Sequence, residues 1–279
     1  MQRPQAGQSK FKDLVQRMGT AAVLAVAAIA LTVAGVWPFA AMAAGGSLLL
    51  AREWAGVTRG GGNDRIFYIH ASTAVAACIL AAHEQFPPAI AVLVVGSSLA
   101  AIFGKNSSRI WALLGPAYLG LAAGLLVHIR ADMSYGLLSI LFLFLVVWLT
   151  DIAAYFCGRS MGGPKLAPAI SPGKTWSGFA GGLIVPALMA GVFGAWLGGT
   201  SPFMLAAIGA AISLASQAGD LIESVIKRRF GVKDFGTLLL GHGGLFDRVD
   251  GLIGASFAAG LLALVRGWME PGKAILIWP

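Results

Sequence analysis

The chain has 279 residues, of which 57% are hydrophobic and only 11% charged, with a mean hydropathy of +0.79. A water-soluble domain dresses its surface with roughly 25% charged residues, so the composition excludes an ordinary soluble fold and makes lipid the main solvent. The formal net charge is +8; its placement along the chain argues for anionic lipid and phosphates as partners and against nucleic acid.

A helix crosses a ~30 Å hydrocarbon core with about 20 apolar residues and satisfies its own backbone groups, which lipid cannot do. Nine apolar runs meet or approach that length, at 20–37, 38–51, 66–82, 87–103, 110–127, 135–157, 178–199, 202–219 and 251–265. The expected fold is therefore all-α and polytopic, with about nine transmembrane helices. The run at 38–51 is short and starts at Pro38, so it reads as a re-entrant piece or a tilted continuation of the first. Pro87, Pro88 and Pro202 sit where runs begin, positions a helix tolerates. The many glycines and alanines suit close helix packing in a membrane.

With nine spans and the N-terminus inside, only Arg130, Arg266 and Lys273 of the 20 Lys and Arg residues fall outside. This asymmetry supports a cytoplasmic N-terminus. Ala41-Met42-Ala43 after a basic start resembles a signal cleavage site, but the run is long for a signal and the alternation works with it retained. No fixed repeat and no linker is evident. Residues 1–149 read as a transmembrane scaffold and 150–279 as a catalytic half, within one membrane domain. Cys78 and Cys157 read as packed thiols. His70, His83 and His128 are isolated and read as interfacial.

The polar chemistry begins at Asp151, which ends the sixth run; a solvated or capping acid explains it as well as a functional one. Ser171-Pro-Gly-Lys174-Thr175 looks like a phosphate loop but lacks the spacing of a nucleotide P-loop. Lys174 with the hydroxyls of Ser171 and Thr175 would suit a phosphate; a basic loop ahead of a span is the plain alternative. If the eighth helix continues past Asp220, then Asp220, Glu223 and Lys227 share one face at i, i+3 and i+7. That face would bind a cation through the acids and an anion through the lysine. Asp220 abuts a fully apolar span, where an idle carboxylate is costly, whereas Glu223 could equally be a solvated helix end.

His242-Gly243-Gly244 precedes a helix start, an arrangement that favours phosphate. Asp247 and Asp250, at i and i+3, can point one way and with Asp220 make an oxygen-rich site for Mg²⁺. Arg228, Lys233 and Arg248 add positive charge beside them.

Three segments together resemble a known family. Ser224-x-x-Lys227-Arg228, Lys233-Asp234-x-Gly236 and His242-Gly-Gly-Leu-x-Asp247-Arg248-Val-Asp250 closely resemble the signature of the phosphatidate cytidylyltransferases, or CDP-diacylglycerol synthases. Thr150-Asp151 to Arg159, Lys165 to Trp176 and Gly219-Asp220-Leu-x-Glu223 resemble the rest of that family's motifs. Leu240 and Ser177 depart from it, standing where proline or glycine and glutamate are usual. The resemblance implies transfer of the cytidylyl group of CTP to phosphatidic acid, giving CDP-diacylglycerol and pyrophosphate. It implies Mg²⁺, with room for a second cation, held by Asp220, Glu223, Asp247 and Asp250. Asp220, Asp247, Lys227 and Arg248 would then be the catalytic groups. Lys174, Ser171, Thr175, Arg228, Lys233, His242, Gly243 and Gly244 would meet the substrate phosphates. The partners implied are CTP, phosphatidic acid and membrane lipid, with no nucleic acid and with a homodimer left open, at a bacterial inner membrane with the site facing the cytoplasm. A cytidylyltransferase for another lipid phosphate and a membrane transporter are the competing readings. A transporter keeps its ionisable groups near the bilayer midplane, whereas here they gather at one face.

Overall fold

The computed structural model describes residues 19, 22–61, 64–105, 108–236 and 243–279. Its helices are α1 (Ala22–Ala34), α2 (Val36–Arg59), α3 (Arg65–Ala82), α4 (Phe86–Phe103), α5 (Arg109–Gly115), α6 (Leu121–Ala131), α7 (Gly136–Met161), α8 (Trp176–Leu197), α9 (Pro202–Arg229), α10 (Phe246–Arg266) and α11 (Pro271–Leu276). A single π turn, Pro116–Gly120, joins α5 to α6 in one continuous rod. A small antiparallel hairpin, β1 (Lys165–Ala167) and β2 (Ser171–Thr175), links α7 to α8, with Lys165 opposite Thr175 and Ala167 opposite Ser171.

The protein is an all-α polytopic bundle. Seven of its described helical rods are long and apolar enough to cross a membrane: α3, α4, α5–α6, α7, α8, α9 and α10. Each of the nine expected runs lies within or overlaps one helix, but α1 and α2 do not meet that measure among the described residues. α1 ends at Gly35, whose φ of 130° no L-residue adopts easily, and α2 starts at once. The break frees the Thr32 carbonyl, and the buried Arg130 guanidinium answers it, Nε donating at 2.9 Å. α2 runs well past residue 51, to Arg59, and stops at Gly60 in the left-handed region (φ 72°). Asp64 then caps α3, its Oδ1 accepting from Phe67 N at 2.8 Å. Partial burial would raise the Asp64 carboxyl, but hydrogen bonds from Arg59 and Phe67 outweigh it and hold the group below its ordinary range.

Large apolar side chains such as Leu188 and Val192 on α8 and Leu261 and Leu264 on α10 point outward, as a bundle solvated by lipid requires. Inside, small residues let backbones meet. A Cβ on Gly219 of α9 would strike the Asp250 carbonyl, and one on Gly254 of α10 would strike the Ala215 carbonyl. Only glycine at both positions allows α9 and α10 to cross this closely. Polar pins reinforce the packing: Thr150 Oγ1 donates to Ser213 Oγ at 2.9 Å, and Ser213 Oγ to the Gly182 carbonyl at 2.5 Å.

A second buried cluster matters for function. Leu50, Trp54, Leu119 and Ala122 from the first half pack against Ile226, Phe235, Phe246 and Ile253 from the second. Trp54 sits at its centre, stacked on Phe235 with centroids 6.3 Å apart, and its Nε1 donates to the Trp111 carbonyl at 2.9 Å. Gly254→Val should force α9 and α10 apart and cost about 1–3 kcal/mol, read as a lower melting temperature of the purified protein; unchanged melting would contradict the close crossing.

Candidate functional site

The described residues of the second half's motifs collect at one end of the bundle. The C-terminal ends of α7 and α9, the N-terminal ends of α8 and α10 and the β hairpin meet there, as ion pairs and hydrogen bonds between them show. α9 does continue past Asp220, through Arg229. Asp220, Glu223 and Lys227 therefore lie along one face, and α10 brings Asp250 to it. One carboxylate oxygen from each of Asp220, Glu223 and Asp250 lies within 4.8 Å of the others. The crossing at Gly219 and Gly254 makes this approach possible, since Gly219 directly precedes Asp220 and lies against the Asp250 carbonyl and Gly254.

Cations are threaded between the acids. Lys174 Nζ, at the end of β2, sits 2.6 Å from Asp220 Oδ2. Lys227 Nζ bridges Glu223 Oε2 at 2.6 Å and Asp247 Oδ1 at 2.8 Å. Asp151 lies within electrostatic reach of Asp220, Lys174 and Arg248, and Asp250 of Asp220, Asp151 and Lys174. Glu223 is 1% exposed, and among the described residues no donor meets its Oε1. A buried carboxylate oxygen without a donor is costly. A hard cation with oxygen ligands relieves that cost, and an all-carboxylate set suits Mg²⁺. The residues present therefore fit such an ion.

Asp247 takes a different position. Its Oδ1 meets Lys227 Nζ, and its Oδ2 accepts from Phe235 N at 3.0 Å and Gly244 N at 2.9 Å. Its carboxyl also lies within hydrogen-bonding reach of Glu223, and it ties the start of α10 to the chain before it. Thr175 caps α8, its Oγ1 accepting from Gly178 N at 3.1 Å, and also meets Ser177 Oγ at 3.0 Å. Ser177 in turn donates to the Gly162 carbonyl. Ser171 opens β2, and Arg228 Nε donates to the Ile170 carbonyl at 3.1 Å, fastening the hairpin to α9. Lys233 is exposed in the segment after α9. Gly243 is in the left-handed region (φ 79°) and Gly244 is buried against Glu53. His242 and Leu240 lie outside the described residues. Away from the site, His70 is buried and bonded to the Ala112 carbonyl at 2.8 Å, so it is a packing residue and not an interfacial one.

A family model described as Cytidylyltransferase family matches residues 15–265. The chain belongs to the cytidylyltransferase family. A protein of Brucella suis biovar 1 (strain 1330) named phosphatidate cytidylyltransferase is 48% identical over 175 residues, 60% of this chain and 62% of that protein. One of Bacillus subtilis (strain 168) with the same name is 42% identical over 141 residues, 50% of this chain and 52% of that protein. A Staphylococcus saprophyticus protein, also so named, is 47% identical over 139 residues, 50% of this chain and 52% of its own length. The chain thus spans about half to six tenths of the curated relatives it matches.

Sequence reasoning did not single out Glu53 of α2. Its side chain is buried, Oε1 accepting from Leu245 N and Oε2 from Phe246 N, each at 2.8 Å. These amides open α10 and have no partner within the helix. Gly236 and Gly244 pass so near that a Cβ on either would lie 2.8 Å from Glu53 Oε1. The first half of the chain therefore fixes the helix that carries Asp247 and Asp250. The available signal was its position directly after an apolar run, the same signal that marked Asp220. Glu53→Gln leaves one acceptor for two donors and should cost about 1–3 kcal/mol. Hydrogen exchange should show the start of α10 losing protection while α7 and α8 keep theirs; equal protection everywhere would remove Glu53 from this role.

Proposed function

We propose that the chain joins CTP to phosphatidic acid, forming CDP-diacylglycerol and pyrophosphate, at the inner face of a bacterial plasma membrane. One observation carries this reading: three carboxylates converge beside Lys174 and Lys227 at the end of a lipid-solvated bundle, on residues of the family motif. The names of the matched relatives support it. A site made of acids and lysines with no nucleophile–base pair suits a reaction between two polyanions.

The lipid phosphate oxygen is already anionic near pH 7 and attacks the α-phosphorus of CTP. The bond to the β-phosphate breaks, and its electron pair leaves with pyrophosphate. No proton has to be removed from the nucleophile, so the protein's task is to neutralise and align. Asp220, Glu223 and Asp250 would hold Mg²⁺, with Asp247 beside Glu223 and Lys227. The ion, when bound, would offset the charge of the triphosphate. Lys174 and Lys227, now paired with the acids, would neutralise substrate phosphates. Arg248 and Arg228 add positive charge at the same end, and the apolar spans keep the acyl chains in lipid.

The site's inward orientation rests on the skew of basic residues toward one side. A Lys233→Cys variant lacking Cys78 and Cys157 should react with an impermeant thiol reagent in inverted vesicles and not in right-side-out ones; the reverse result would turn the topology over.

Purified protein given labelled CTP, Mg²⁺ and phosphatidic acid should release labelled CDP-diacylglycerol. Asp220→Asn and Asp247→Asn should each lower that turnover by roughly 100-fold or more. Near-normal turnover in both would sink the assignment of these acids. Turnover only with a different lipid phosphate would move the reading to a sister activity.

A further inference from the structure

The π turn at Pro116–Gly120 has no role in the motif chemistry, yet it aims one side chain at the acid cluster. Such a turn inserts a residue into a helix and re-aims the side chains beyond it. Here it carries Tyr118, whose ring packs against Phe246 with centroids 6.2 Å apart and against Phe257 at 5.6 Å. Phe246, Asp250 and Phe257 lie at i, i+4 and i+11 of α10, one face of the helix. The ring therefore lies along the face that presents Asp250, and Asp250 and Glu223 are the charged groups that act on its hydroxyl.

The hydroxyl is buried and has no hydrogen-bond partner among the described residues. Glu223 Oε1 is in the same condition, and so is Ser216 Oγ, on the same face of α9 as Asp220 and Glu223. Open donors and acceptors on the faces that carry the acids, in a bundle where lipid offers no substitute, are what an added polar group would complete. Tyr118 comes from the half of the chain outside the motifs.

We propose that Tyr118 is a positioning residue of the acid cluster. Its hydroxyl holds the hydration shell of a divalent cation carried by Asp220, Glu223 and Asp250, and through it orients Glu223. This rests on the cation site of the preceding subsection. A metal ion with few protein ligands keeps several waters, and groups that fix those waters tune its affinity.

The test is a thermal melt of the purified full chain across Mg²⁺ concentrations, without substrate, for wild type, Tyr118→Phe and Asp250→Asn. Tyr118→Phe keeps the ring and its contacts with Phe246 and Phe257. It should melt as wild type does without metal, while the Mg²⁺ concentration giving half the stabilisation rises roughly tenfold. Asp250→Asn should lose the stabilisation. A Tyr118→Phe titration that overlays wild type overturns the assignment of Tyr118 and leaves the cation site standing. Wild type with no response to Mg²⁺ overturns both. A variant that melts lower without metal but keeps the wild-type half-point shows a packing role only and also overturns the proposal.

Discussion

The polar end of this protein depends on one close crossing, that of α9 over α10 at Gly219 and Gly254. Three carboxylates within 4.8 Å repel one another, and a bundle surrounded by lipid screens that repulsion poorly. Backbones that touch hold the acids where their own charge would separate them. The lysines then balance the charge from two directions. Lys227 comes from within α9, one turn beyond Glu223, and Lys174 comes from the hairpin. Balance is incomplete, because Glu223 Oε1 is buried without a donor among the described residues. Rigid framing and unfinished pairing together are what a site needs if it is to gain by taking up a cation.

The first half of the chain does more than fill the membrane. Helix starts leave amides that lipid cannot satisfy, and those of α10 are met by Glu53, from a helix almost two hundred residues earlier in the chain. Trp54, the next residue, stacks on Phe235 and packs against Phe246, so one turn of α2 grips both flanks of the segment leading into α10. α2 also explains its own weak apolar character. Its polar end is buried against protein, so it gains from hydrogen bonds what a lipid-facing helix gains from hydrocarbon.

Much of the site was legible because helix periodicity is local. Asp220, Glu223 and Lys227 could be placed on one face from spacing alone, and the structure continues the helix through them. The apolar runs located the helices, but hydropathy stops at charged residues while helices do not. The run ending at 51 is thus part of a helix reaching Arg59, because Arg52 and Glu53 interrupt the pattern without interrupting the backbone. Ser171 to Thr175 read as a loop; cross-strand pairing with Lys165 to Ala167 makes it a strand, and a pairing partner is not written in the segment itself. Glu53 and Tyr118 escaped for the same reason. Each acts through contacts with α10 that are distant in sequence, so no spacing announces them.

The pair Asp247 and Asp250 shows why spacing alone cannot assign roles. At i and i+3 they leave α10 in similar directions, yet their surroundings divide them. Asp247 receives two backbone amides and a lysine, so its charge is already answered. Asp250 receives the amide of Gly251 and otherwise lies within electrostatic reach of Asp220, Asp151 and Lys174. A carboxylate with three donors gains little from a further cation, while one set among other carboxylates gains much. The two acids then serve one site by different means. Asp250 offers its charge to whatever neutralises the trio, and Asp247 spends its own on holding Lys227 and the entry to α10 in place, which keeps Asp250 at the crossing.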